Sequence, residues 1–175
     1  RSVDGVQWAV PMYKGALRCQ LPDGSTQIVR LIGVDDSTLM GGPHTMVQGE
    51  LADLRRDRAV FVNVNQAGDQ LRLKRNGFDR PLQVGDTMSF NDNQAIIAGT
   101  YRSSEEFFWE PVFYTTYTRA LTMAPKERKS LSFVLVKVKP DASVPAVAQQ
   151  IKSMMPVQAL TPEQFEQQTK SFVLK

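Results

Sequence analysis

A single histidine, His44, and a single cysteine, Cys19, are the residues that could start a metal-centred or nucleophilic mechanism in this 175-residue chain. His44 follows Gly41-Gly42-Pro43, a loop sequence, and no second histidine exists to share a metal with it. Structural zinc requires several cysteines or histidines, so the chain lacks the ligand types for it. Cys19 falls in a β-like run, where a small buried packing residue is the better reading than a nucleophile. The acidic pairs Asp35-Asp36 and Glu105-Glu106 are neighbours in sequence. On extended backbone, neighbours point to opposite faces, so each reads as a solvated loop pair rather than a general acid/base couple. Neither a Gly-x-Gly-x-x-Gly turn nor a P-loop is present. The expectation is therefore a chain with no catalytic residues, no cofactor and no metal.

Composition narrows the partners. The chain carries 21 basic and 18 acidic residues, a formal charge of +3. Its basic clusters, Arg55-Arg56-Asp57-Arg58 and Lys126-Glu127-Arg128-Lys129, are both interrupted by an acid. Nucleic-acid binding normally shows a basic stripe or a known motif, so no nucleic-acid partner is expected. One cysteine cannot form an internal disulfide, and that fits a cytoplasmic or a periplasmic setting equally. No signal peptide and no run of roughly 20 apolar residues occurs. Together with the start at Arg1 and the stop at Phe172-Val173-Leu174-Lys175, this reads as a fragment excised from a larger protein.

The elements follow from turn residues and periodicity. Val6–Tyr13, with Trp8 and Pro11, suits an edge strand. Ala16–Gln20 and Gln27–Val34 flank Pro22-Asp23-Gly24-Ser25 as a hairpin. Met46–Arg56 has helical spacing, with Met46, Val47, Leu51 and Leu54 on one side. Strands are expected at Ala59–Val64, Gln70–Lys74, Thr87–Phe90, Ala95–Tyr101 and Pro111–Tyr117, the third and fourth joined by Asn91-Asp92-Asn93. Short strands at this spacing indicate a sandwich- or barrel-like β lobe. Leu131–Lys139 then alternates as a strand. Ser143 and Pro145 start a helix whose stripe is Val144, Val147, Ala148, Ile151, Met154 and Met155. A short strand is expected at Val157–Leu160, and Thr161-Pro162-Glu163-Gln164 is a capping box opening a last helix. Phe165 and Phe172 would bury the face of that helix, and Met154-Met155 would lie in the core. Phe107-Phe108-Trp109, three consecutive aromatics at a loop-to-strand transition, are the candidate partner-contact residues. The alternative, which we prefer, packs at least two of them into the β lobe.

Three segments together resemble one family. Val3-Asp4-Gly5-Val6-Gln7-Trp8-Ala9-Val10-Pro11 with Val29-Arg30-Leu31-Ile32-Gly33-Val34-Asp35 is similar to the start of the MacB-like periplasmic core domain. Leu82-Gln83-Val84-Gly85-Asp86-Thr87-Met88 with Gln94-Ala95-Ile96-Ile97-Ala98-Gly99-Thr100-Tyr101 resembles its middle. Phe133–Asp141, Val147–Ile151 and Val157–Phe165 resemble the end of the DevC-type branch of these ABC-transporter permeases, within the MacB/FtsX/LolC superfamily.

The resemblance implies an α+β fold of two lobes. A ferredoxin-like, Porter-like lobe would comprise 1–45 and 130–175, with a mainly β, Sabre-like lobe at 46–129. It implies a bacterial inner-membrane permease in which this domain is periplasmic, inserted between the first two transmembrane helices. The permease would form a homodimer, bind a cytoplasmic ABC ATPase and dock a periplasmic adaptor of the membrane-fusion type. ATP hydrolysis would then be coupled to periplasmic movement, mechanotransmission, in export or efflux. The alternative implied is an FtsX-like regulatory domain that activates a cell-wall hydrolase. A stand-alone soluble enzyme ranks last.

Overall fold

A computed structural model describes residues 3–103, 110–125 and 133–173. Phe107, Phe108 and Trp109 lie outside the described residues, as does the side chain of Phe172. The fold is α+β. Its strands are β1 (Val6–Gln20), β2 (Thr26–Val34), β3 (Met46–Gln48), β4 (Ala59–Asn63), β5 (Thr87–Phe90), β6 (Asn93–Tyr101), β7 (Val112–Thr116) and β8 (Phe133–Val138). The helices are α1 (Val64–Gly68), α2 (Tyr117–Met123), α3 (Val144–Met154) and α4 (Pro162–Val173), with a 3-10 helix at Leu51–Arg55. The chain separates into two compact units. One is Arg1–Ala9 with Val136–Lys175, and the other is Val10–Leu135.

In the larger unit the strand pairings close on themselves. β1 pairs with β2, β2 with β7, β7 with β4, β4 with β6, β6 with β5, and β5 again with β1. The β2–β7 and β4–β6 pairs are parallel and the others antiparallel. A ring of this kind leaves the six strands few open edges, and it closes only with β1 and β2, which come from the first 34 residues rather than from the middle of the chain.

Period-two alternation then sorts side chains between two cores. Val29, Leu31, Val60, Val62, Phe90, Ile97 and Phe113 fill the first. Ile32, Val34, Phe61, Tyr101 and Val112, one residue out of phase, form the second with Leu39 and Leu54 from the 35–55 segment. Each core holds an edge-to-face aromatic pair: Phe90–Phe113 at 5.4 Å and Tyr101–Tyr114 at 5.2 Å. Such a pair contributes about 1 kcal/mol beyond burial.

Several elements depart from the expectation. β1 is one 15-residue strand rather than two, and it pairs with β2 from Tyr13 onward and with β5 at Cys19 and Gln20. The span 46–56 is not a helix: Gly49, at φ 78°, separates β3 from the 3-10 helix. That glycine is required, since an added Cβ would meet the Ala98 carbonyl oxygen at 3.0 Å. Among the described residues Gln70–Lys74 makes one bridge, Leu73 to Arg80, although Leu71 and Leu73 do point into the first core. Among the described residues 157–160 forms no strand. Two short helices were missed because each continues a strand without a break. Asn63 caps α1 by accepting from the Asn65 backbone N–H at 2.9 Å. In α2, Ala120 packs where Gly33 leaves room for it.

The smaller unit joins the first turn of the chain to β8, α3 and α4. The Lys139 N–H donates to the Gly5 carbonyl at 2.8 Å. Gly5 has φ 82°, and a Cβ there would come within 2.8 Å of Val147. The Thr161–Gln164 capping box forms as expected: the Gln164 N–H reaches Thr161 Oγ1 at 3.3 Å, and Gln164 Oε1 accepts from the Thr161 N–H at 3.1 Å.

Candidate interaction surface

Cys19, Asp35 and Asp36, among the groups that could do chemistry, are engaged in holding the fold. Cys19 is fully buried, with Sγ 3.7 Å from Met88 Sδ, and burial pushes its thiol up to about 12. A thiol so rarely ionised is a packing residue. His44 is exposed on its loop. The two members of Asp35-Asp36 act in different places. Asp35 accepts from the Ser37 hydroxyl and from the Thr38 N–H and hydroxyl, tying its own turn. Asp36 accepts from the Thr118 N–H at 3.1 Å and hydroxyl at 3.0 Å, which caps the start of α2. Glu105-Glu106 lies outside the described residues. Among the described residues no three His, Cys, Asp or Glu side chains come together as metal ligands.

Asp36 also borders an open depression of 470 Å³ whose walls include Asp57, Arg58, Thr118 and Arg119. Arg119 dominates it chemically, yet its donors are already placed. Nη1 donates to the carbonyls of Leu54 and Ala59 at 3.0 and 3.1 Å and to Thr115 Oγ1, and Nη2 donates to the Arg56 carbonyl at 2.7 Å. The guanidinium thus closes the end of the 3-10 helix onto β4. Desolvation holds its pKa below the usual arginine value, with Asp57 and Asp36 opposing that shift.

Two further carboxylates, not singled out from sequence as sites, carry loop architecture. Asp23 is buried in the β1–β2 turn. Its Oδ1 accepts from the Ser25 N–H and hydroxyl, and its Oδ2 from the Lys74 and Arg75 N–H groups at 2.9 and 3.2 Å. Asn76 Nδ2 adds a bond to the Asp23 carbonyl at 2.7 Å. Burial pulls this carboxyl upward, but the Ser25, Lys74 and Arg75 donors outweigh it and hold its pKa at about 2. Asp86 pairs bidentately with Arg80 at 2.7 and 2.8 Å and accepts from the Gln83 N–H. These bonds, against desolvation, keep Asp86 below the ordinary carboxylate range. The signals available in sequence were the turn strings Pro22-Asp23-Gly24-Ser25 and Gly85-Asp86, where short acids bond local backbone.

What the molecule offers to the outside is apolar surface on the smaller unit. Of its described residues only Val147, Ala148 and Thr161 are buried. The α3 stripe is covered at its centre and open at both ends, where Val144, Met154 and Met155 are exposed. Met154-Met155 is therefore surface, not the core position expected. Val136, Val157, Leu160 and Phe165 add to the exposed set, the last two on either side of the cap of α4. Phe165 is 49% exposed, so the early face of α4 is not buried as expected. A layer with an apolar stripe and almost no second layer is what an interaction surface looks like.

Comparison with known proteins places the chain. Residues 1–154 match the MacB-like periplasmic core domain family. No curated protein matches the chain. Among solved structures it is similar to the periplasmic region of MacB from Actinobacillus actinomycetemcomitans, at 13% identity and a TM-score of 0.60, covering 95% of this chain and 77% of that one. A domain of a putative permease from Porphyromonas gingivalis aligns at 15% identity and a TM-score of 0.56, over 93% and 82% of the two chains. The extracellular domain of the noncanonical ABC-type transporter YknZ from Gram-positive bacteria aligns at 16% and 0.53, over 87% and 72%. At these identities the structures establish the fold, and the family match carries the assignment. The chain belongs to the MacB-like periplasmic core domain family of ABC-transporter permeases.

Proposed function

We propose that this domain transmits movement rather than performing chemistry. In this reading the full-length permease sits in a bacterial inner membrane as a homodimer. A separate cytoplasmic ABC ATPase supplies the energy. The periplasmic domain converts closure of the membrane helices into a motion felt by an adaptor during export. The domain would itself be non-catalytic, and its two lobes would be Porter-like at 1–45 and 130–175 and Sabre-like at 46–129. The C-terminal run from Phe133 to Phe165 favours the DevC-type branch.

The observation that carries the reading is that residues from both ends of the chain belong to one compact unit. A domain hung between two neighbouring membrane segments needs its entry and exit in one body. The larger unit, a closed ring with two filled cores, is built to move without deforming. No described helix is long and apolar enough to cross a membrane. In this reading the membrane part belongs to other residues of the full permease.

The test uses the complete permease with its ATPase in nanodiscs, spin-labelled at Glu166→Cys on the exposed side of α4. Addition of ATP should shift the distance distribution between the two protomers' labels, and a hydrolysis-deficient ATPase should trap the shifted state. An unchanged distribution across the nucleotide cycle would overturn mechanotransmission.

A further inference from the structure

Asn76-Gly77 is the one Asn-Gly pair in the sequence. In such a pair the backbone nitrogen that follows the side-chain amide carries no Cβ beside it, so it can approach that amide without obstruction. The two residues form the tip of the loop at 71–80, with φ 54° and 83°, and the Phe78 N–H donates to the Arg75 carbonyl at 3.0 Å. Two positive φ values in succession are what a type I′ turn requires. Both residues are exposed, and nothing lies within 4 Å of the place a Gly77 Cβ would take. The Asn76 side chain is nevertheless held. Its Nδ2 donates to the Asp23 carbonyl at 2.7 Å, and a Cβ added to Gly24 would lie 3.3 Å from it. Asp23 Oδ2 meanwhile accepts from the N–H groups of Lys74 and Arg75, the two residues that lead into the turn. One clasp thus fixes the incoming backbone and the amide together.

We infer that Asn76 is a site of spontaneous deamidation, gated by the Asp23 clasp, and that the reaction breaks the clasp irreversibly. The Gly77 backbone nitrogen gives its proton to water and attacks Asn76 Cγ. The N–Cγ bond forms, the Cγ–Nδ2 bond breaks, and Nδ2 takes up a proton and leaves as ammonia. One water then adds to either carbonyl of the five-membered imide and opens it, leaving aspartate or its β-linked isomer in place of Asn76. Water is the only co-reactant, and no oxidation state changes. Ring closure must rotate the Asn76–Gly77 peptide out of the turn geometry and pull Nδ2 from the Asp23 carbonyl. The closed loop is therefore the protected form and the locally opened loop the reactive one. The product cannot re-form the clasp, because a carboxylate then faces the Asp23 carbonyl oxygen where a donor stood. The inference is independent of the transport reading, since it needs only the loop and water.

The experiment incubates the 175-residue chain in neutral buffer, folded and in denaturing urea, and digests aliquots with a protease that cleaves before aspartate. The peptide Asp69–Phe78 holds Asn76 as its only asparagine, so its mass reports conversion of that amide to an acid. Conversion should be at least about tenfold slower in the folded protein than in urea. Asp23→Asn, shown by circular dichroism to be folded, should convert about tenfold faster than folded wild type. If that variant does not fold, Gly24→Ala is read in its place: its Cβ crowds Nδ2 and should accelerate conversion in the same direction. Asn76→Asp, which supplies the product directly, should raise the unfolding constant in urea about fivefold. No conversion of this peptide in urea, a folded wild type that converts as fast as the unfolded chain, a folded clasp variant no faster than wild type, or an Asn76→Asp protein as stable as wild type would each overturn the inference.

Discussion

Asp23→Asn tests whether the buried carboxylate of the β1–β2 turn holds two distant loops together by its charge. In the folded protein its four donors keep the carboxyl near about 2 despite burial. Against an unfolded value of about 3.9, the difference corresponds to about 2 kcal/mol of stability. Because the folded pKa is depressed, this contribution is present in full above the unfolded pKa. It is lost as pH falls through the folded one, between about pH 4 and about pH 2. Asparagine keeps one acceptor oxygen and replaces the other with an NH2 group. Either the Ser25 pair or the Lys74 and Arg75 N–H groups then face a donor. The expected loss at neutral pH is therefore about 2–3 kcal/mol, the linkage contribution with some cost for the orphaned N–H groups. Urea denaturation followed by far-UV circular dichroism measures it. The gap between wild type and variant should narrow by most of its size as pH is lowered from about 6 to about 2.5. A gap that stays constant over that window would refute the carboxylate's role, as would a variant within about 0.5 kcal/mol of wild type at neutral pH.

Gly99→Ala should destabilise by about 1–3 kcal/mol in urea, since the new Cβ meets the Gln48 carbonyl oxygen and the Phe61 ring, each at 2.9 Å. A neutral result would show that the β6 bulge beside Phe61 relaxes freely. Thr161→Ala removes one half of the capping box and should cost about 1 kcal/mol, read as about fivefold faster amide exchange in the first turn of α4. Exchange unchanged there would mean that Gln164 alone suffices. Cys19, with its thiol pushed to about 12 against an ordinary 9.0, holds about a thousandfold less thiolate at neutral pH. Iodoacetamide should leave it unmodified until denaturant unfolds the barrel, and rapid alkylation of the native protein would contradict its placement.

Much of the β architecture was legible because its signals are local. Asn91 and Asp92, at φ 46° and 65°, make the two-residue hairpin that their side chains favour, and β5 and β6 pair in the register this turn dictates. Thr161 and Gln164 bond as their spacing implies. What was not legible depends on distant partners. Met46–Arg56 has helical periodicity, yet β3 forms because Tyr101 and Thr100 lie alongside it. Leu71 and Leu73 alternate as a strand would, but Asp23 takes the backbone N–H groups of Lys74 and Arg75 that a ladder would use. α1 and α2 are too short for a period to emerge from the sequence, and each needs a neighbour: Asn63 for one, Asp36 for the other. The surface was misjudged for a related reason. The α3 stripe predicts an apolar face correctly, but a stripe cannot say how many of its residues find a covering layer, and Met154 and Met155 do not.

The distribution of polar groups bears on where function can reside. Asp23, Asp35, Asp36, Asp86 and Arg119 each bond to backbone of the larger unit, and each fixes a loop that hydrophobic burial alone would leave loose. Replacing any of them would change stability before it changed any chemistry. The smaller unit shows the opposite economy: few buried residues, a reciprocal cap on α4, and apolar side chains of α3, α4 and the 155–160 segment turned outward. Such a surface gains free energy only when something covers it. On the reading proposed above, Val157, exposed in the 155–160 segment, is where a substitution should alter assembly while leaving the fold intact.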